Sequence, residues 1–233
     1  MTIEVCLDNI INEWNNAANI YSENNNISIY SLFCKEFIKN YFIDIKNKKI
    51  LDAGCGNGDY THILTENGGN VIGCDGSKEM INIAKKIYPN YKFENVNILN
   101  NLPYENNSFD IILCNLVLMD IDPIDNMISE FYRILANNGI LFFSIVHPAF
   151  YLGEWEKDGN GKKISKKISK YITPIEVKQH FWGITTHYHR PISFYYNKLI
   201  EKGFKINKIL EPKVYEEQKN QDIPLYLFTE LIK

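Results

Sequence analysis

The stretch Lys49-Ile-Leu-Asp-Ala-Gly-Cys-Gly-Asn-Gly-Asp-Tyr60 decides the fold, because a short apolar run ends in an acid and is followed by glycine at every second position. That pattern predicts a strand feeding a tight loop. Gly54, Gly56 and Gly58 carry no Cβ and take positive φ freely, so the backbone can bend sharply and let a ligand lie against its amides. Asp52, at the end of the strand, has the oxygens to accept from a cationic or hydroxylated ligand. The triplet alone leaves open a dinucleotide fingerprint, which also begins Gly-x-Gly, and an ordinary strand-to-helix turn.

The next segment narrows the choice. Asn70-Val-Ile-Gly-Cys-Asp75 predicts a second strand ending in an acid 23 positions after Asp52, near the offset of about 20 at which a βαβ unit places a ribose-binding carboxylate. Gly76 and Ser77 follow, Ser77 as the N-cap of a helix whose apolar stripe is Met80, Ile83, Ala84 and Ile87. Asp75 can therefore hold a ribose diol or simply cap that helix. A third segment, Phe93 to Asn115, contains Leu102-Pro103-Tyr104, Ser108-Phe109-Asp110 and the apolar run Ile111–Cys114 ending at Asn115.

Together these motifs resemble the class I S-adenosylmethionine-dependent methyltransferases, in the broad Ubi-type small-molecule subgroup, over roughly residues 47–147. The resemblance implies a Rossmann-like α/β fold, with a seven-stranded mostly parallel sheet, helices on both faces and a substrate-cap insertion. It implies S-adenosylmethionine as cofactor and S-adenosylhomocysteine as product. Asp52, Gly54, Gly56 and Gly58 would cradle the cofactor, Asp75 would hold the ribose, and Gly76, Ser77 and Met80 would flank it. Asn97 stands where the family often has Asp; its amide oxygen can accept from the adenine amino group while the Ile98 amide donates to a ring nitrogen. Asn115 and Leu116 fall where the methionine moiety passes. His147-Pro148 and His189-Arg190-Pro191 fit a pattern of small-molecule methyltransferases beyond the core.

A chain of 233 residues with 45% hydrophobic and 23% charged residues suits one α/β domain with an elaborated cap. A net charge of −3 gives no global attraction to nucleic acid or anionic membrane, which leaves a small molecule as the default partner. Five cysteines, Cys6, Cys34, Cys55, Cys74 and Cys114, are odd in number and lack a Cys-x-x-Cys pair, as expected of reduced thiols in a cytoplasm. No apolar run approaches the length of a membrane span. Whether the chain is a monomer or a homodimer stays open.

Two helices, 7–20 and 28–42, are expected before the first strand, the second with Tyr30, Phe33, Cys34, Phe37 and Tyr41 on one stripe. Tyr21 and Tyr30 are candidates for closing over the cofactor. A further helix is expected with Asp122 as its cap, Pro123 in its first turn and a buried stripe of Ile124, Met127, Ile128, Phe131 and Leu135, ending at Asn137-Asn138-Gly139. The nearly all-apolar Ile140–Val146 predicts a strand covered on both faces. The expected organisation is a single domain, with a helical cap at 1–46, a cofactor core at 47–147, a cap insert at 148–190, and a helix with the last two strands at 191–233.

Residues 148–190 form a connection too long to be a plain loop. Trp155, Trp182, His189 and Arg190, with Tyr30, are the expected acceptor pocket. His147 and His187 are the candidate general bases, since imidazole titrates near neutral pH. The alternatives are that His147 bonds a loop carbonyl and that His187 and His189 share one face of an ordinary strand. A metal held by His180, His187 and His189 is not expected, with Glu176 the nearest acid in sequence. Lys162, Lys163, Lys166, Lys167 and Lys170 read as a solvated face of a cap helix or hairpin, although an RNA-contacting strip has the same composition. The functions weighed are methyl transfer to oxygen, nitrogen or carbon of a small organic acceptor, methylation of a nucleic-acid base, and a non-catalytic cofactor-binding module.

Overall fold

The computed structural model describes residues 3–215 and 219–233. Two helices, α1 (Ile3–Asn24) and α2 (Ile29–Tyr41), precede the first strand, β1 (Lys49–Ala53). Then come α3 (Asp59–Glu66), β2 (Asn70–Asp75), α4 (Lys78–Ile87), β3 (Lys92–Asn95) and β4 (Phe109–Asn115). A 3₁₀ turn, Leu118–Asp120, leads to α5 (Asp125–Ile134) and β5 (Leu135–Val146). The insert forms two hairpins, β6 (Glu154–Lys157) with β7 (Lys163–Lys167), and β8 (Ile175–Gln179) with β9 (Thr185–His189). Helix α6 (Ile192–Lys202), β10 (Lys205–Leu210) and β11 (Tyr226–Ile232) complete the fold.

The main sheet has seven strands in the order β10-β11-β5-β4-β1-β2-β3, and β11 alone runs antiparallel to its neighbours. Strand order reverses between β1 and β4. In an open α/β sheet the crevice beyond the strand C-termini at that point is where ligands bind. Both faces are covered. Ile112, Phe143 and Leu51 join α5 and α6 in one core, while Ile50, Leu113, Phe142 and Phe228 pack against α2 in the other. The aromatic stripe expected on α2 is there, with Phe37 stacked on Phe228 at 4.3 Å.

Local chemistry explains most boundaries. Ser77 caps α4 by accepting from the Met80 amide at 3.2 Å. The buried face of α4 is Met80, Ile81 and Ala84, while Ile87 is exposed, so the stripe is rotated from the expected one. Ile124, Met127, Ile128 and Phe131 are buried as predicted, but helix α5 begins two residues later than expected, at Asp125. Asp122 does not cap it: its carboxylate accepts from Arg190 at 2.5 Å instead. The helix also ends at Ile134, before the Asn137-Asn138-Gly139 stop, because Leu135 is drawn into pairing with Phe109 of β4. A Cβ on Gly139 would lie 2.8 Å from the Ala136 oxygen, so glycine is required in that turn.

Cys34, Cys55, Cys74 and Cys114 are buried free thiols. Cys6 lies outside the residues whose side chains are described. Among the described residues no helix is long and apolar enough to cross a membrane.

Candidate active site

Beyond the C-terminal ends of β1, β2 and β4 lies a cavity of about 690 Å³, a size typical of small-molecule sites. Its floor is the glycine loop. Gly54 has φ 76° and packs its bare Cα on Val117, where a Cβ would meet Cγ2 at 2.5 Å. Gly56, at φ 53°, faces the cavity with the Tyr21 ring above it. Gly58 is placed differently from expectation: its φ of 87° starts α3, and it packs against Phe93 outside the cavity. The Gly54, Cys55, Gly56 and Gly58 amides are committed within the protein. Gly54 and Cys55 both donate to the Cys74 carbonyl, Gly58 donates to Cys55, and Gly56 donates to the Asp75 carboxylate. The loop therefore offers a ligand a surface without side chains rather than a nest of free N–H groups.

Asp75 stands on the cavity wall. Its carboxylate accepts from the Gly56 amide at 3.0 Å and the Ser77 amide at 2.8 Å. Burial holds its carboxyl above the usual range, and the two amides oppose that shift. Two amide bonds fix the orientation of a carboxylate that still has lone pairs for further donors. Gly76, Ser77, Met80, Asn97, Ile98, Asn115 and Leu116 line the same cavity. Asn97 is partly engaged, since its side-chain oxygen accepts from the Leu99 amide at 3.0 Å. Asn115 accepts from the Ser144 hydroxyl at 2.6 Å, and the next residue, Leu116, sits at φ 55°. A bulky residue at positive φ is strained, and such positions cluster at functional sites.

Asp52 departs from expectation. It is fully enclosed below the loop, where its carboxylate accepts from the Thr61 hydroxyl at 2.6 Å, and it does not line the cavity. Burial pushes its carboxyl up to about 7, against the pull of the Thr61 bond. Asp52 ties β1 to α3 and supports the loop from beneath.

The opposite wall is assembled from distant segments. Tyr21 makes edge contacts with Trp14 at 5.7 Å and with Trp182 at 5.4 Å, bringing α1 against the insert. Helix α1 is fastened twice more. Glu13 accepts from the Thr186 amide and hydroxyl and from Lys178, and Asn15 accepts from the Ser77 hydroxyl. Tyr30, Trp155 and Trp182 line the cavity as expected. His187 also does, with Nδ1 3.6 Å from the Asp120 carboxylate and its ring 4.5 Å from that of Tyr151. Burial raises the Asp120 carboxyl above its ordinary value, and His187 opposes that most strongly. Asp120 and Tyr151 escaped the sequence reading. The one available signal was a polar residue directly after the apolar exit of the fourth strand.

Besides Asp52 and Gly58, three further expected site residues lie outside the cavity. His147 is buried, with Nε2 2.7 Å from Glu211, and burial holds it below the ordinary imidazole range. His189 Nε2 lies 2.9 Å from the Tyr171 carbonyl. Arg190 is buried between the Tyr188 and Phe194 rings and donates to the Leu118 and Ile121 carbonyls. It thus fixes the turn that carries Asp120. Of the five lysines, Lys162, Lys167 and Lys170 are exposed on or beside the first hairpin, whereas Lys166 turns inward and lines the cavity.

A seven-stranded sheet with one antiparallel strand, a side-chain-free loop after β1 and an acid at the end of β2 define the class I S-adenosylmethionine-dependent methyltransferases. Residues 44–211 match the family described as Methyltransferase domain, and the chain belongs to that family. A structure described as an S-adenosylmethionine-dependent methyltransferase of Listeria monocytogenes superposes with a TM-score of 0.72 and 28% identity, covering 85% of this chain and 96% of that one. A protein of Haemophilus influenzae is 28% identical over 83% of this chain and 81% of its own length. The ubiquinone biosynthesis O-methyltransferase of Pelagibacter ubique is 32% identical over 44% of each chain, so the present chain spans under half of that relative. The protein is an enzyme whose methyl donor is S-adenosylmethionine. The fixed Asp75 carboxylate, the bare Gly56 surface and the cavity volume all fit that donor.

Proposed function

We propose that the chain methylates an oxygen or nitrogen atom of a small organic acceptor, with Asp75 binding the donor's ribose hydroxyls and His187 removing the acceptor's proton. When bound, the donor supplies an activated methyl group whose bonding electrons stay on sulfur as it leaves. What remains for the protein is alignment, exclusion of water and disposal of one proton.

Alignment falls to Asp75, to the Gly56 surface, and to Asn115 and Leu116 at the exit of β4. Asn97 and Ile98 flank the adenine end in this reading. Tyr21, clasped by Trp14 and Trp182, closes the cavity from above, and aromatic closure strengthens every electrostatic contact inside. His187 turns Nδ1 toward Asp120, which orients the ring and leaves Nε2 for the acceptor. The nucleophile's lone pair then forms the new bond to carbon while its proton passes to His187.

The observation that carries this reading is the sharing of one cavity by Asp75, held by two backbone amides, and the His187–Asp120 pair. The quinone-biosynthesis relative supports a small organic acceptor, and a cytoplasmic location agrees with the buried free thiols. The experiment is calorimetric titration with S-adenosylhomocysteine, followed by mass spectrometry of what copurifies and a turnover assay with methyl-labelled donor. Binding by the parent and its loss in Asp75→Ala are expected. No binding at about 1 mM, an affinity weaker than about 4 kcal/mol, overturns the reading.

A further inference from the structure

The first hairpin of the insert was expected to point its lysines at solvent, yet one of them reaches the cavity. Lys166 stands opposite Trp155 across the β6–β7 ladder, with its ammonium 4.8 Å from the Trp155 ring centroid. Its stem is confined by Gly153, where a Cβ would approach the lysine Cβ and Cδ to 3.3 Å. One N–H donates to the Phe150 carbonyl at 2.7 Å, and two remain. The charges that act on it are those of Lys219 and Lys163, both cations. Lys219 reaches the same cavity, donating to the Tyr30 hydroxyl and lying 4.6 Å from that ring's centroid, and a β-bridge sets it beside Lys163. Among the described residues no carboxylate lies within ion-pair distance of Lys166.

Withdrawing an ammonium from water and crowding it with like charge is unfavourable, and it lowers the Lys166 ammonium to about 8. A neutral donor would serve the Phe150 carbonyl equally well. The cost is recovered when a negatively charged group enters, since a charge-assisted bond is worth roughly twice a neutral one. Trp155 and Trp182, on the same cavity wall, provide flat apolar surface for the rest of such a molecule.

We propose that Lys166 forms an oxyanion-binding point in the acceptor pocket, so that the methyl acceptor carries a carboxylate or phosphate group on an aromatic or apolar body. This deepens the proposed small-molecule reading and rests on it. The five-lysine segment, on this view, serves the pocket through one member while the others stay in solvent.

The test uses the full chain saturated with S-adenosylhomocysteine and ligand-detected NMR titrations of benzoate, phenyl phosphate and the neutral benzamide. At least one acid is expected to bind about tenfold or more tightly than benzamide. Whichever acid does so identifies the group as carboxylate or phosphate. K166Q should abolish that preference, K166R should retain it, and K162Q, on the exposed side, should leave it unchanged. Equal binding of benzamide, an unaltered preference in K166Q, or no acid binding up to about 10 mM overturns the proposal. S-adenosylhomocysteine affinity and a thermal melt are measured for each variant first. Loss of product binding by the parent strikes at the donor site, whereas intact product binding with no acid preference strikes only at Lys166.

Discussion

The two walls of the cavity are built on opposite principles. The wall proposed for the donor comes from Gly54, Gly56, Asp75 to Ser77, Met80, Asn97, Ile98, Asn115 and Leu116, which follow the ends of β1, β2, β3 and β4. The wall proposed for the acceptor comes from α1, the 118–120 turn, the two hairpins and residues near 219–226, segments as far apart in sequence as Tyr21 and Trp182. One wall is set by the periodicity of the sheet. The other exists only because side chains from unrelated segments meet, and substitutions in the two should therefore have separable effects.

The largest expected effect tests that separation at the acceptor wall. His187→Ala should lower kcat by about 10²- to 10⁴-fold, the usual contribution of a general base, and leave S-adenosylhomocysteine affinity as in the parent. Asp120→Asn should show a smaller loss, together with a shifted kcat–pH profile. If product affinity falls along with kcat, the two walls are not independent.

At the donor wall, Asp75→Ala should weaken S-adenosylhomocysteine binding by about ten- to a hundredfold, because hydrogen bonds to a charged group contribute roughly 1.5–3 kcal/mol. Asp75→Asn should lose less, since an amide oxygen still accepts one hydroxyl. Calorimetry reads both, and an unchanged affinity in Asp75→Ala removes that residue from the donor site.

Asp52 supports the donor wall without touching the cavity, and its signature is in stability. Its carboxyl is raised in the folded chain to about 7, so the protein holds a proton there that the unfolded chain releases near pH 4. Stability from this group is full below about pH 4 and is lost as pH rises to about 7. Asp52→Asn should flatten that decline. Thermal melts of parent and variant between pH 4 and pH 8 measure it, the difference being at most a few kcal/mol at about 1.4 kcal/mol per pH unit. Parallel melting curves across that window would contradict the assignment.

The smallest effect belongs to His147. It pairs with Glu211 outside the cavity, so His147→Gln should leave turnover within about threefold of the parent, under about 0.7 kcal/mol. A larger drop in kcat with intact product binding would return His147 to the list of bases.

The order of sheet elements, the glycine loop, Asp75 and the Ser77 cap were legible because each depends on neighbours within a few residues: alternating or continuous apolar runs, a residue without Cβ, a hydroxyl three positions before an amide. The errors arose where a distant partner competed. Asp122 has the chemistry of a helix cap, but Arg190 claims its carboxylate. Asp52 has the chemistry of a ligand acceptor, but Thr61 lies closer. His147, His189 and Arg190 sit next to pocket segments in sequence yet turn their side chains toward Glu211, Tyr171 and the 118–122 backbone.

By itself, then, the sequence determined the class I methyltransferase fold and the position of Asp75 at the cavity edge of the second strand, because strand periodicity and backbone conformation are local properties. Tertiary structure decided which histidine enters the cavity, that Asp120 stands beside it and that a single lysine of five points inward. Those outcomes turn on which side chains meet across the packed insert, and on the cost of leaving any buried polar group without a partner.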